Sequence, residues 1–416
     1  MFLYNLGIHL FNIALRIASL FNPKAKQWIK GRKNWKPKLI EQVAALNLEN
    51  AVWLHAASLG EFEQGKPVIE EIKKQFPHQK LILTFFSPSG YEIQKHYPLA
   101  DLVLYLPIDT APNAQKFLNI IKPKVAIFVK YEFWLNYLAE LKQQQIPTFL
   151  ISTVIKRHQP FFKWYGWNFR KAIHTYHTIY TQDVYSLRLL KLLGYHKGVL
   201  AGDTRFDRVL QICSAPKQLT EIEHFANNSF VIVAGSSWAK DEDILIETYT
   251  RLKNKHSSLK LIIAPHEIEK KNIDRLCNLL HKHHLPFHLF SKNEPQMKDS
   301  ILIINAIGFL SSIYQYGTIA LIGGGFNNGI HNILEPTVYG LPVLFGPNYH
   351  KFNEAHQILD LKAGFVFQNA DELEKQIQAF LSNSEYLSEA SALAKNYVQK
   401  NSGATQKIME GIRVYF

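Results

Sequence analysis

The chain has 416 residues, enough for two domains, and its 47% hydrophobic and 19% charged content supports a large buried core and excludes extended disorder. Lys and Arg outnumber Asp and Glu by 47 to 34, which points to an anionic partner: nucleic acid, an anionic lipid surface or a phosphorylated substrate. The two cysteines, Cys213 and Cys277, lie far apart, form no metal-type spacing and suit a reducing compartment.

The first twenty or so residues are mostly apolar, broken by Asn5, His9, Asn12 and Arg16, and seven basic residues follow before position 39. No basic region precedes the apolar part and no small-residue cleavage site is evident, so the segment makes a poor signal peptide. Arg16 near the middle penalises a full span. The pattern predicts an interfacial helix with a cationic collar, a membrane-associated segment over residues 1–35. The competing expectation is a buried N-terminal helix of the core.

Beyond it, VWLHA (52–56), LILTFF (81–86), LVLYLP (102–107), VAIFV (125–129), TFLIS (148–152), TIYTQ (178–182) and VLAGD (199–203) alternate with helical patterns. After a weaker connector, about 207–228, the pattern restarts. FVIVAG (230–235), LKLIIAP (259–265), PFHLF (286–290), ILIINA (301–306), TIALIGGG (318–325), PVLFGP (342–347) and GFVFQ (364–368) follow. These are continuous apolar runs, the mark of parallel strands covered by helices on both faces. The expected fold is α/β, with two doubly wound parallel-sheet domains, 36–215 and 216–416, facing a central cleft. The last helix could return to the first domain. Ligands of such sheets bind at strand-to-helix loops.

Two loops carry the most chemistry. In the first domain Ser58-Leu59-Gly60-Glu61 puts a carboxylate at a helix start, where the helix dipole favours negative charge. Such an acid is either a helix cap or a general base. In the second, Gly323-Gly324-Gly325 follows a strand, a loop that lets a ligand approach the backbone and aims amides at an anion. Glu335, in the next helical turn, can accept two hydrogen bonds from a ribose diol. The spacing is not GxGxxG, so a dehydrogenase-type dinucleotide site is not indicated. Asp241-Glu242-Asp243 looks like a metal-binding DxD motif but sits at a helix start, where acids are common; no metal is expected.

Taken in order, HAASLGE (55–61), YEFWLN (131–136), AGDTRFD (201–207), GSSW (235–238), APHE (264–267), IGFLSSIY (307–314) and GGGFNNGIHNILEP (323–336) resemble the 3-deoxy-D-manno-octulosonic acid (Kdo) transferases of lipopolysaccharide synthesis. The resemblance covers nearly the whole chain. It implies a GT-B fold and inverting transfer from CMP-Kdo to a lipid A precursor at the cytoplasmic face of the inner membrane, with no cofactor. It implies Glu61 as general base, with Ser58, Gly60 and Glu132 binding or supporting the acceptor. Donor binding falls to Arg205, Ser236, Ser237, Pro265, His266, Ile307, Gly308, Leu310, Gly324, Gly325, Asn332 and Glu335. Backbone groups of Ile307 and Gly308 would read the cytosine edge. Arg205 stands where the family usually has lysine, and Lys130 where some relatives have glutamate. The family commonly has Pro-Arg-His where this chain has Pro265-His266; the missing arginine leaves Ser236, Ser237 and Lys240 to compensate. The partners implied are CMP-Kdo, the lipid A precursor and an anionic membrane surface. The alternatives are another membrane-surface GT-B transferase using a UDP-sugar, a UDP-GlcNAc 2-epimerase of the same architecture, and a non-catalytic protein binding anionic membrane or nucleic acid. The absence of interleaved basic-aromatic repeats speaks against nucleic acid.

Overall fold

The computed structural model describes residues 1–291 and 300–416. The chain forms two compact units, residues 1–208 with 402–416, and residues 209–401. The passage between them falls inside the helix Thr204–Ser214.

Among the described residues each unit is built on a seven-stranded, all-parallel sheet. In the first, β1 (Val52–Ala56), β2 (Leu81–Phe85), β3 (Leu102–Tyr105), β4 (Val125–Val129), β5 (Thr148–Thr153), β6 (Thr178–Thr181) and β7 (Gly198–Leu200) lie in the order β3-β2-β1-β4-β5-β6-β7. In the second, β8 (Phe230–Ser237), β9 (Leu259–Pro265), β10 (Phe287–Leu289), β11 (Ile301–Ile303), β12 (Ile319–Ile322), β13 (Val343–Phe345) and β14 (Gly364–Val366) lie in the order β10-β11-β9-β8-β12-β13-β14. All fourteen apolar runs read from the sequence are strands, and both units are doubly wound GT-B domains.

Burial explains the unbroken apolar runs. Every residue of β1, β2, β4 and β5 is buried. Alternate residues feed opposite faces: Ala126 and Phe128 of β4 join one hydrophobic cluster, Val125, Ile127 and Val129 the other. The C-terminal helix Ala404–Ile412 completes the second cluster with Ile408, Met409 and Ile412. Asp207, in the GDTRFD stretch, fixes it there. Its carboxylate accepts from the amides of Gly403 at 2.5 Å and Thr405 at 2.6 Å, the orphan donors of that helix start.

The N-terminal helix Phe2–Ala18 has no fully buried residue. Phe2, Leu3, Leu6, Leu10, Ile13 and Ile17 are exposed. Its other side docks on the first unit. Tyr4 donates its hydroxyl to Asp109 at 2.5 Å, Asn136 donates to Asn5 at 2.9 Å, and Phe11 packs against Trp28 and Phe86. Among the described residues no helix is long and apolar enough to cross a membrane. One member of the expected collar is corrected. Arg32 is not a surface charge: its guanidinium lies 3.8 Å from the Trp28 ring centre and donates to the carbonyls of Leu106 and Phe86 at 2.8 and 2.7 Å. Burial pushes its pKa down to about 9. Lys24, Lys26, Lys30, Lys33, Lys36 and Lys38 are exposed.

The two ends of the chain should therefore behave differently on truncation. Losing residues 402–416 uncovers Ile408, Met409 and Ile412, each side chain contributing about 2–5 kcal/mol, and should unfold the first unit. Losing residues 1–21 should leave it folded, because Asp109 keeps the amides of Asn136 and Tyr137 at 3.1 and 3.0 Å. Circular dichroism and thermal melting of both truncations check this; an unfolded N-terminal truncation would make that helix part of the core.

Candidate active site

In each sheet the winding parts at one pair of adjacent strands, β1 beside β4 and β8 beside β12, and in the second sheet β10 and β11 are also exchanged at the edge. Connections leave such a point in opposite directions, so the carboxyl ends of the two strands are left uncovered. The candidate residues collect at these two places, one in each unit.

In the first unit, β1 runs through Ala57 to Ser58, the N-cap of the helix Leu59–Gln75. The Ser58 hydroxyl does not cap a backbone amide. It donates instead to Glu61 Oε2 in the first turn. A Cβ at Gly60 would touch only Ser58 Oγ, at 3.8 Å. Packing therefore does not demand glycine here, and the glycine leaves the carboxylate approachable from outside.

The neighbouring β4 ends in Lys130, whose φ of 75° is uncommon for a residue with a long side chain. That turn aims Tyr131 at the same place. The Tyr131 hydroxyl is held above its ordinary pKa by burial and by the charges of Glu61 and Asp183, opposed by Arg205. Glu61, Tyr131, Asp183 and Arg205 thus share one electrostatic neighbourhood. Arg205 is the one candidate donor residue in the first unit. Its Nε and Nη2 donate to Asp203 Oδ2 at 2.9 and 2.7 Å, presenting the planar guanidinium in a fixed orientation.

Glu132 differs from Glu61. It is buried, its carboxylate accepts from the Trp134 indole, and its carbonyl accepts from the Tyr176 hydroxyl. His55 Nε2 lies 3.2 Å from the same carboxylate oxygen, near enough for an ion pair but poorly directed for a hydrogen bond. His55 Nδ1 is held in turn by Thr84 Oγ1 at 2.9 Å. Glu132 is braced from behind by this network and supports the Tyr131 turn.

In the second unit, β8 bulges between Gly235 and Ser237, with Ser236 at a φ of 52°. Ser237 is buried and donates to Glu242 Oε1 at 2.8 Å, while Glu242 Oε2 pairs with Arg275. Asp241 reaches back to the amide of Trp238 and across to the amide of Gly324, both at 2.9 Å. Burial raises its pKa, opposed by those two amides. The acidic run therefore ties the strand end to the glycine loop, and among the described residues no group of His, Cys, Asp or Glu has the clustering of a metal site.

The loop corrects one expectation. Its amides are not simply turned outward: Gly323 donates to Gly235 at 3.0 Å, Gly324 to Asp241, and His331 to Gly323 at 3.1 Å. The glycines are there for close approach within the protein. A Cβ on Gly323 would lie 2.1 Å from the Ser236 carbonyl, and one on Gly325 would lie 2.5 Å from the Gly346 amide.

Over this base lies a stack the sequence reading did not single out. The rings of His266 and His331 are 4.2 Å apart, and Trp238 covers His266 at 4.8 Å while its indole donates to His331 Nε2 at 2.9 Å. Burial and the neighbouring His266 push the His331 pKa down to about 4, so the ring is neutral near pH 7. The position of Trp238 directly after Gly235-Ser236-Ser237 was the available signal. Pro265 ends β9 just before His266, whose amide donates to the Ser237 carbonyl at 2.9 Å.

The remaining candidates flank this floor. Ile307 is exposed, and Gly308 has a φ of 86° with open space where a Cβ would stand. The Gly308 carbonyl accepts from Lys217 Nζ at 3.1 Å. Leu310 and Tyr314 pack against Gly235, where a Cβ would lie 1.9 Å from the Tyr314 hydroxyl. Just before the helix Leu334–Val338, Asn332 Oδ1 accepts from the Leu334 amide at 3.0 Å and Nδ2 donates to Glu335 Oε1 at 3.0 Å, presetting that carboxylate in the first turn.

Known proteins agree with this layout. Residues 30–208 match the family described as 3-deoxy-D-manno-octulosonic-acid transferase. The chain is 29% identical over 340 residues to a 3-deoxy-D-manno-octulosonic acid transferase of Aquifex aeolicus, covering 81% of this chain and 87% of that one. It is 27% identical over 380 residues to the Haemophilus influenzae enzyme of the same name, covering 88% and 87%. Among solved structures, UDP-GlcNAc 2-epimerase from Neisseria meningitidis superposes with a TM-score of 0.61 at 16% identity, over 86% of this chain and 98% of that one, a likeness of fold alone. Its motifs, the match over residues 30–208 and these relatives make the chain similar to the Kdo transferases, and its two doubly wound units have the GT-B fold.

Proposed function

We propose that this protein transfers Kdo from CMP-Kdo to a hydroxyl of a lipid A precursor, with inversion at the anomeric carbon, at the cytoplasmic face of the inner membrane. The observation that carries this reading is the Ser58–Glu61 pair at the strand-order reversal. Glu61 takes the proton of the acceptor hydroxyl as its oxygen bonds to the anomeric carbon. The bond from that carbon to the phosphate oxygen breaks on the opposite face, and CMP leaves with the electron pair. One base suffices because no covalent intermediate forms. Ser58 orients the carboxylate from Oε2, leaving Oε1 for the acceptor. Arg205, fixed by Asp203, meets an anionic group of the donor.

In the second unit Ser236, His266, the Ile307–Gly308 turn, Asn332 and Glu335 form the CMP side, with Glu335 on the ribose diol. Ser237, Leu310, Gly324 and Gly325 shape that surface from beneath. The leaving phosphate is stabilised by fixed dipoles and cations without a metal; Asp241 and Glu242 already serve amides and Arg275. The exposed apolar N-terminal helix and the exposed lysines that follow it hold the protein at the membrane.

Glu61→Gln preserves shape but cannot accept a proton. Turnover of CMP-Kdo should fall roughly 10²–10⁴-fold, with CMP affinity by calorimetry unchanged; near-normal turnover would return Glu61 to a capping role. Glu335→Ala removes two charge-assisted hydrogen bonds worth about 1.5–3 kcal/mol each, so CMP affinity should drop roughly 10²–10⁴-fold. Unaltered affinity would take Glu335 out of the site. Activity should survive EDTA, and its loss would make the acidic run a metal site. CMP should raise the melting temperature more than UMP; the reverse order would favour the UDP-sugar chemistry suggested by the epimerase-like fold.

A further inference from the structure

The basic surplus is not spread over the chain. Residues 1–40 hold eight Lys or Arg and residues 141–182 hold six, and neither segment contains an Asp or Glu. Outside them 33 basic residues face 34 acidic ones, so these two segments account for the whole positive charge of the protein.

They also meet in space. The Tyr4 ring of the N-terminal helix stands edge-on to Phe169 at 6.2 Å. A groove of about 350 Å³ runs between them, lined by Tyr4 and Ile8 on one side, Pro160, Phe161 and Phe169 on the other, and the Tyr131–Trp134 turn at its end.

Within the second segment the turn 160–171 exposes three aromatic side chains: Trp164 at 91%, Tyr165 at 58% and Trp167 at 60%. Lys163 precedes them in the chain, and Arg170 and Lys171 follow them. The turn is built to hold them outward. Phe161 is buried as a plug, and Arg170 Nη1 donates to the carbonyls of Phe161 and Lys163, both at 2.9 Å. Gly166 closes it so tightly that a Cβ there would lie 1.8 Å from the Pro160 carbonyl. Lys171 sits over the Trp167 ring at 5.2 Å.

Three large aromatics held in water by a rigid turn are costly unless something covers them. Trp and Tyr with adjacent cations and no acids match the headgroup layer of an anionic bilayer, where amphipathic rings and positive charge are both favoured. The neighbouring helix already presents an apolar face. We infer that the turn 160–171 is a second bilayer-docking element, which together with the N-terminal helix seats the groove and the Tyr131 turn at the lipid surface. The inference shares with the proposed function the premise of a lipid-surface substrate, but it concerns residues outside the reaction centre.

The test uses the full chain and vesicles of phosphatidylethanolamine with phosphatidylglycerol. Trp164→Ala, Tyr165→Ala and Trp167→Ala combined should reduce partitioning onto the vesicles by at least about tenfold. Melting temperature and Kdo transfer to a detergent-dispersed acceptor should not change, since all three side chains are exposed. Lys163→Gln with Lys171→Gln should weaken binding to these vesicles and make it less sensitive to salt. Wild-type partitioning by the aromatic variant would overturn the inference. So would a variant that binds vesicles normally but turns from oligomer to monomer in vesicle-free sedimentation, because the face would then cover a second copy. Absence of Kdo transfer by the wild-type protein in detergent would count against the proposed reaction and leave the docking result to stand or fall by itself.

Discussion

Two reversals of strand order govern what this molecule can do. A parallel sheet buries its strands on both faces, so its backbone is open to a ligand only at the strand ends. Where the winding changes direction the flanking helices part, and β1 with β4, and β8 with β12, are left with free carboxyl ends. Many of the candidate groups are within a few residues of such an end or are tied to one by a contact. Ser58 and Glu61 follow β1, Tyr131 follows β4, Ser236 and Trp238 close β8, and the three glycines follow β12. Two residues with positive φ, Lys130 and Ser236, also lie at these ends. Such conformations persist only where the surroundings over-determine them, here the dense strand cores below.

The fold was legible in the sequence for a simple reason. Strands buried on both faces must be apolar at every position, and runs such as VAIFV and LKLIIAP have no other ready explanation. The site was legible only down to the loop. Whether a polar group faces a ligand or the protein depends on partners far along the chain, and no local pattern carries that. Gly324 gives its amide to Asp241, 83 residues earlier, and Asp207 holds the start of the C-terminal helix almost two hundred residues away. Arg32 belongs by composition to a basic collar, yet three aromatic rings and three carbonyls claim it. The stacked Trp238, His266 and His331 come from three separate segments, so their association appears only in the fold.

The two acids of the first unit show how environment divides similar residues. Glu132 is buried and held by an indole, with a histidine behind it, which suits support. Glu61 has one serine partner and an unobstructed glycine beside it, which suits a group that must meet a substrate. The missing arginine next to Pro265 fits the same view. The stacked histidines and Trp238 put an aromatic surface there, with the His331 ring held neutral near pH 7 by burial and the neighbouring His266.

The most direct measurement is the mass spectrum of the products formed by purified protein from CMP-Kdo and a tetra-acylated lipid A precursor. The account predicts a lipid heavier by one or more Kdo residues, with an equal number of CMP molecules released. Intact lipid with CMP-Kdo left unconsumed, or transfer from a UDP-sugar in its place, would contradict it.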